Sequence, residues 1–199
     1  FLGGVGGYGI ARGFRYGIAR GVFSNEAGLG SLAGLHGATD GTTPQEQGMW
    51  AMFEVFFDTM VICTMTALVI LCVAGGGQGL ARGSYDGAVL TARCFEAALG
   101  AAGQYLVSGS MVVFAFATMI AWYYLGKQTL EGVMAQAGQW IHISEAGAEK
   151  IRTIYLILYG YAIFLGCVSS LTAVWELSDI WNGLMAFPNI LALLVLRKK

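Results

Sequence analysis

Charge is what this chain has least of. Asp, Glu, Lys and Arg make up 12% of its 199 residues, about half the usual share in a soluble domain. Eleven basic residues against twelve acidic ones give no field to gather nucleic acid, and the basic residues form neither a stripe nor a known nucleic-acid motif. Proline occurs twice, and thirty glycines follow no Gly-X-Y period, which excludes collagen. The four cysteines (Cys63, Cys72, Cys94, Cys167) fit no CxxC spacing, and His36 and His142 lie in different polar segments. A disulfide framework and a zinc site are therefore not expected, and the thiols read as small apolar fillers. The chain opens at FLGG without a Met, a charged n-region or a cleavage pattern, and stops at LLVLRKK after an apolar run. No signal peptide is expected, and the reading is of an internal or C-terminal piece of a longer protein.

What it does have is apolar length: 56% of the residues are hydrophobic. Four runs stand out, 49–74, 105–125, 153–174 and 180–196, and only the first carries charge, Glu54 and Asp58. At 1.5 Å per residue, about 20 helical residues cross a hydrocarbon core of about 30 Å, so four spans are expected in one membrane domain, with 1–48 as the end of a preceding span plus a cytoplasmic loop. With 49–74 running outward, the inner segments hold nine basic residues and the outer loops hold Arg82 and Arg93, a positive-inside asymmetry. Trp50, Trp122, Tyr123, Tyr124, Trp175 and Trp181 fit interfacial anchoring. Residues 87–103 suggest a short outer helix, and 126–150 a surface-lying amphipathic helix. The echo YGIARGFR and YGIARGVF at 8–23 is too short to be a repeat architecture.

Three polar features interrupt this apolar background. The string RGVFSNEAGLGS, Arg20–Ser31, contains neither a P-loop nor a G-x-S-x-G elbow. It reads as a helix-ending cytoplasmic turn in which Arg20 pairs with Glu26 and Asn25 and Glu26 satisfy backbone donors, or as a gate. Asp58 lies about 14 Å into its span, where an ionised carboxylate costs about 2.5–3.5 kcal/mol on insertion scales. Such an acid binds a cation, relays a proton or pairs with a basic partner; Thr59 adds a hydroxyl, and Glu54 shares its helix face. In WELSDIWNGLMAFPN, Glu176, Ser178 and Asp179 read as helix-start chemistry at the outer face. Pro188 frees a carbonyl that Asn189 can satisfy.

The strings GIARGVFSNEAGLGS, QGMWAMFEVFFDTMVICTMTALVIL, FAFATMIAWYYLGK and VWELSDIWNGLMAFPNILAL resemble, in order, the alanine or glycine:cation symporter family of bacterial and archaeal sodium:amino-acid carriers. The resemblance covers residues 9–197. It implies an all-α, polytopic membrane helix bundle of the inverted-repeat type seen in the bacterial leucine transporter. This chain would supply much of the second repeat, and the missing N-terminal repeat would be its partner. The chain departs from the pattern at Glu54, Ala121, the stretch AGLHGATDG and Ala117, where the family usually has Ser. In leucine-transporter-like bundles a Ser/Thr pair here helps to hold sodium, so Thr118 and the Ala117 carbonyl are the implied ligands.

Physical chemistry supports that placement. Sodium is a hard cation that takes oxygen ligands. Thr118 is 13 residues into the 105–125 run, near the midplane where carriers bind. Trp122, one turn on, would wall the amino-acid pocket; the competing reading of Thr118 is a back-bond to the Phe114 carbonyl. The expected function is sodium-coupled symport of alanine or glycine by alternating access across the cytoplasmic membrane of a bacterium or archaeon. Na⁺ is the coupling ion, with no other cofactor, no catalytic residue and no nucleic acid. Arg20, Asn25, Glu26, Asp58 and Thr59 would serve gating. The alternatives are a membrane-embedded enzyme using Asp58 and a proton-coupled transporter of another small solute.

Overall fold

The computed structural model describes residues 2–75, 85, 87–139 and 144–196. Phe1, Arg82, His142, Arg197, Lys198 and Lys199, which figured in the sequence reading, lie outside the described residues. The described chain is helical: α1 (Leu2–Asn25), α2 (Ser31–His36), α3 (Pro44–Phe56), a π-helical segment (Phe57–Cys63), α4 (Thr64–Gly75), α5 (Gly87–Leu99), α6 (Ala101–Ala137), α7 (Glu145–Val168) and α8 (Leu171–Leu196). Four helical stretches are long and apolar enough to cross a bilayer: Pro44–Ala74, Ala101–Ala137, Glu145–Val168 and Leu171–Leu196. Among the described hydrophobic residues only Leu29, Cys94 and Phe95 are buried, while side chains such as Met49, Phe114 and Leu193 stay exposed. Apolar surface on that scale belongs against lipid or other protein, not water. The all-α, polytopic membrane architecture expected from the sequence is therefore the one observed.

The element boundaries differ from the sequence reading in four places, each for a local reason. The first helix runs further than the opening apolar residues suggest: α1 is 24 residues long, Leu2–Asn25. The apolar run 153–174 is split. Ser169 turns to extended backbone (φ −77°, ψ 156°) and its Oγ donates to the Leu165 carbonyl at 2.7 Å. Ser170 Oγ then accepts from the Ala173 N–H at 3.4 Å and opens α8, so Glu176, Ser178 and Asp179 lie inside that helix rather than at its start. The segment after Gly126 continues α6 to Ala137 and is not a separate surface helix. Residues 87–103 do form a helix, α5, which Gly100 ends with φ 68°.

The chain divides into two compact units. In the first, residues 1–47 and 122–199, the ends of α6 and α7 are clamped. Arg152 grips Glu131 through Nε and Nη2 at 2.7 and 3.0 Å and reaches Glu149 at 3.3 Å. Tyr155 donates its hydroxyl to the Tyr123 carbonyl at 3.3 Å, and its ring stacks on Tyr123 with centroids 5.7 Å apart. Ser144 caps α7 by accepting from the Gly147 N–H, as N-cap serines do. At the start of α3, Thr43 and Glu46 form a reciprocal capping box around Pro44 at N1.

In the second unit, residues 48–121, α5 packs on α4. Cys94 is fully buried, consistent with a small apolar filler, and all four cysteines are free. Asp58 and Thr59 sit in the first turn of the π-helical segment. There the Thr64 hydroxyl reaches back five residues to the Thr59 carbonyl at 3.3 Å, whereas Thr66 makes the ordinary four-residue bond to Ile62 at 2.8 Å. The widened turn begins at Phe57, after the helical turn that carries Glu54, and π turns recur at functional positions.

The turn from α5 into α6 is tight because a Cβ on Gly103 would collide with the Phe95 backbone. Backbone cannot swing aside as a flexible side chain can. Gly103→Val is expected to cost about 1–3 kcal/mol, the usual range for overpacking. Thermal melting in detergent, compared with Gly109→Val, whose Cβ meets nothing within 4 Å, checks this.

Candidate functional site

Helix α1 stops at Asn25, where the backbone turns left-handed three times in five residues: Glu26 has φ 51°, Gly28 86° and Gly30 92°. Glycine takes that region freely, but a residue with a side chain gives up about 1–2 kcal/mol there, so Glu26 needs compensation. Gly21 precedes this turn. It is helical, and its carbonyl accepts from Asn25 Nδ2 at 3.0 Å. Within the interruption the Leu29 N–H returns to the Glu26 carbonyl at 3.2 Å. Leu29 and Ser31 are buried, and the Ser31 hydroxyl has no hydrogen-bond partner among the described residues.

Two helices hold the interruption. From α6, Trp122 Nε1 donates to Glu26 Oε1 at 3.0 Å, and Leu125 lies where a Cβ on Gly34 would be, 2.9 Å away. From α8, Asn189 Nδ2 donates to the Gly28 carbonyl at 2.9 Å, and Asn189 Oδ1 sits 3.0 Å from where a Cβ on Gly30 would stand. Since α6 runs on to Ala137 and α8 to Leu196, the interruption lies alongside these helices rather than beyond their ends.

Arg20 does not pair with Glu26. Its two terminal nitrogens donate to both carboxylate oxygens of Asp179 on α8, each at 3.0 Å. Its guanidinium lies over the Trp175 ring at 4.1 Å, and Phe23 meets the same ring edge-on at 4.9 Å. Six residues apart across a helix end, Arg20 and Glu26 do not share a face, whereas Asp179 is presented by the neighbouring helix. Trp122 and Trp175 are partners of Glu26 and Arg20. Asn189, expected to satisfy backbone freed by Pro188, crosses to α1.

Of the residues singled out from sequence, Arg20, Asn25, Glu26 and Trp122 thus gather around the end of α1. Ala117 and Thr118 lie on α6 within the second unit, as do Asp58 and Thr59 in the π-helical segment. Thr66, Thr91, Thr129 and Thr153 each bond back to the carbonyl four residues earlier. Thr118 makes no such bond among the described residues and is exposed, so the back-bond to Phe114 is not formed. Sequence reasoning missed the roles of Asp179, Trp175, Leu125 and Asn189; a carboxylate and an amide inside an apolar helix were the available signals. Chemically, the interruption offers backbone N–H and C=O groups outside any helical ladder, one carboxylate and an indole wall, which suits a small ligand bearing both charges.

A model described as the sodium:alanine symporter family matches residues 1–199. An uncharacterized transporter of Haemophilus influenzae is 36% identical over 99% of the chain and 40% of its own length. The sodium/alanine symporter AgcS of Methanococcus maripaludis is 36% identical over 94% of the chain and 38% of its own length. The amino-acid carrier protein AlsT of Bacillus subtilis is 30% identical over 90% and 35%, respectively. The chain thus spans well under half the length of these relatives. No solved structure gives a significant match.

Gly28 and Gly41 both hold left-handed backbone in open space, with nothing within 4 Å of an added Cβ. Gly28→Ala and Gly41→Ala are therefore expected to lower stability equally, by about 1–2 kcal/mol each, from backbone strain alone. Melting curves of the two variants check it; a much larger loss at Gly28 would mean that the side chain clashes.

Proposed function

The chain belongs to the sodium:alanine symporter family, and from that membership we propose that it carries the second-repeat portion of a sodium-coupled carrier for a small neutral amino acid, alanine or glycine. This is a family of transporters rather than of enzymes, which removes the membrane-embedded enzyme as an alternative. The protein is multi-pass; its resemblance to bacterial and archaeal relatives supports the cytoplasmic membrane of a bacterium or archaeon, and the asymmetry of its basic residues sets the orientation within it.

The observation that carries the reading is the bond from Trp122 to Glu26 across the interruption after α1. A zwitterion needs acceptors for its ammonium and donors for its carboxylate, close together and shielded from water. Backbone outside a helical ladder provides both, and transporter folds tolerate it where it lines a cavity. In this proposal the indole of Trp122 forms the wall against the substrate's side chain, with room for a small one. Arg20 and Asn25 steady the last turns of α1, and the interruption serves as hinge and gate during alternating access.

For the coupling ion, Thr118 and the Ala117 carbonyl are the proposed sodium ligands. A hydroxyl that is not spent on its own helix is free for a hard cation, which takes oxygen donors. Asp58 with Thr59 is proposed as a second, ion-responsive element, because a carboxylate and a widened turn coincide deep in a span.

Uptake of labelled alanine into proteoliposomes, with and without a sodium gradient, tests the reading on the product of the complete reading frame. Sodium-driven uptake is expected; uptake indifferent to sodium would overturn it, and dependence on a proton gradient alone would favour proton coupling. Thr118→Ala is expected to raise the sodium half-saturation while leaving the maximal rate largely intact. Asp58→Asn is expected to depress transport with normal membrane insertion, and wild-type uptake in that variant would leave Asp58 a structural role.

A further inference from the structure

Asn189 makes the third polar contact from a neighbouring helix onto α1 and its following turn, and it differs from the other two in what it touches. The Arg20–Asp179 pair fixes α1 to α8 through side chains, and Trp122 holds the Glu26 side chain. Asn189 instead grips main chain. Its Nδ2 donates to the Gly28 carbonyl at 2.9 Å, while its carbonyl end occupies the space beside Gly30 that a Cβ would need. Gly28 and Gly30 both have positive φ, so the peptide units around Leu29 have few steric limits of their own. An external hydrogen bond is what selects one orientation for them.

We infer that Asn189 is a positioning residue for transport: it orients the Gly28 carbonyl and holds Gly30 against α8, and so presets the backbone that receives the amino acid. This rests on the reading that the interruption between α1 and α2 is the substrate site. A carbonyl oxygen accepts through two lone pairs. Asn189 uses one, leaving the other for an ammonium, while the bond holds the carbonyl dipole in a fixed direction. Preset dipoles lower the reorganisation that binding requires. Losing the bond therefore weakens binding more than folding, because α1 and α8 stay joined through Arg20 and Asp179 and through the packing of Phe23 on Trp175. The residue type is specific. Aspartate of the same size lacks the N–H, leucine lacks both polar ends, and neither can donate to Gly28.

The experiment compares wild type with Asn189→Asp, Asn189→Leu, Asn189→Ala, Gly30→Ala and the double variant Gly30→Ala with Asn189→Ala, each in the product of the complete reading frame. Sodium-driven alanine uptake is read as half-saturation and as maximal rate per inserted protein. Interhelical hydrogen bonds in membranes correspond to about a three- to tenfold change in an equilibrium. The three Asn189 variants are accordingly expected to raise the half-saturation about three- to tenfold, with maximal rates within about twofold of wild type. Gly30→Ala is expected to do the same by displacing Asn189, on top of the backbone strain that any side chain meets at φ 92°, and adding Asn189→Ala to it is expected to cost less than Asn189→Ala alone. An unchanged half-saturation, full additivity in the double variant, or loss of inserted protein in all three Asn189 variants would overturn the inference while leaving the carrier reading intact. Wild-type protein without sodium-driven uptake would overturn both.

Discussion

A peptide group in hydrocarbon has no water to bond with, and that constraint bears on the departures from helix among the described residues. Most of its backbone meets the constraint by running in uninterrupted helices, up to the 37 residues of α6. Where it departs, side chains take over: Ser169 and Ser170 between α7 and α8, Ser144 at the start of α7, and Asn25, Trp122 and Asn189 around the end of α1. The first two are economical, with one or two hydroxyls serving one end. The last is not. It takes side chains from two neighbouring helices, Trp122 on the Glu26 carboxylate and Asn189 on the Gly28 carbonyl, and the left-handed Glu26 costs about 1–2 kcal/mol besides. A hydrogen bond to a carboxylate returns about 1.5–3 kcal/mol, so the Trp122 bond can offset that strain. Little is left over to stabilise the fold.

The charges obey the same logic. Arg20 and Asp179 are bonded through both oxygens, and the guanidinium also lies flat over Trp175, a contact worth about 0.5–2 kcal/mol depending on its desolvation. Both side chains are more than a third exposed, so the pair counts for less than a sealed one would. Its value is geometric: a planar fork against a planar carboxylate fixes rotation as well as distance. Arg152 does the same between α7 and α6 through Glu131. Two bidentate arginines therefore set helix rotation within the first unit, and the side chains aimed at the interruption inherit that rotation.

Much of this was legible in the sequence, and what was not has physical reasons. Apolar length sufficed to find four membrane crossings, because hydrocarbon thickness maps directly onto residue count. It failed at Ser169 and Ser170, which are too mild in hydropathy to interrupt the 153–174 run; they matter through their hydroxyl geometry. It failed again after Gly126, where polar residues suggested a helix lying on the surface. There, Glu131 is matched by an arginine beyond the next turn, a pairing with no local signature. The widened turn carrying Asp58 leaves no mark in composition. Arg20, Asn25, Glu26 and Trp122 were recognisable as special, but not their partners. Glu26 was the nearest acid to Arg20 along the chain, whereas the true partner sits 159 residues away.

The same contrast separates the two polar insertions in α8. Asp179 and Asn189 both stand inside an apolar helix, where neither belongs for its own sake. Asp179 answers a charge, and a charge can be answered from several directions by a long, flexible arginine. Asn189 answers a backbone carbonyl, which has a fixed place and few directions of approach. A side chain with two short arms, one donating to the Gly28 carbonyl and one in van der Waals contact with Gly30, can serve only if Gly30 stays bare. Gly30 of the interruption and the asparagine of α8 therefore constrain one another. The string that looked like a loop in the sequence is one half of a fitted pair whose other half lies near the far end of the chain.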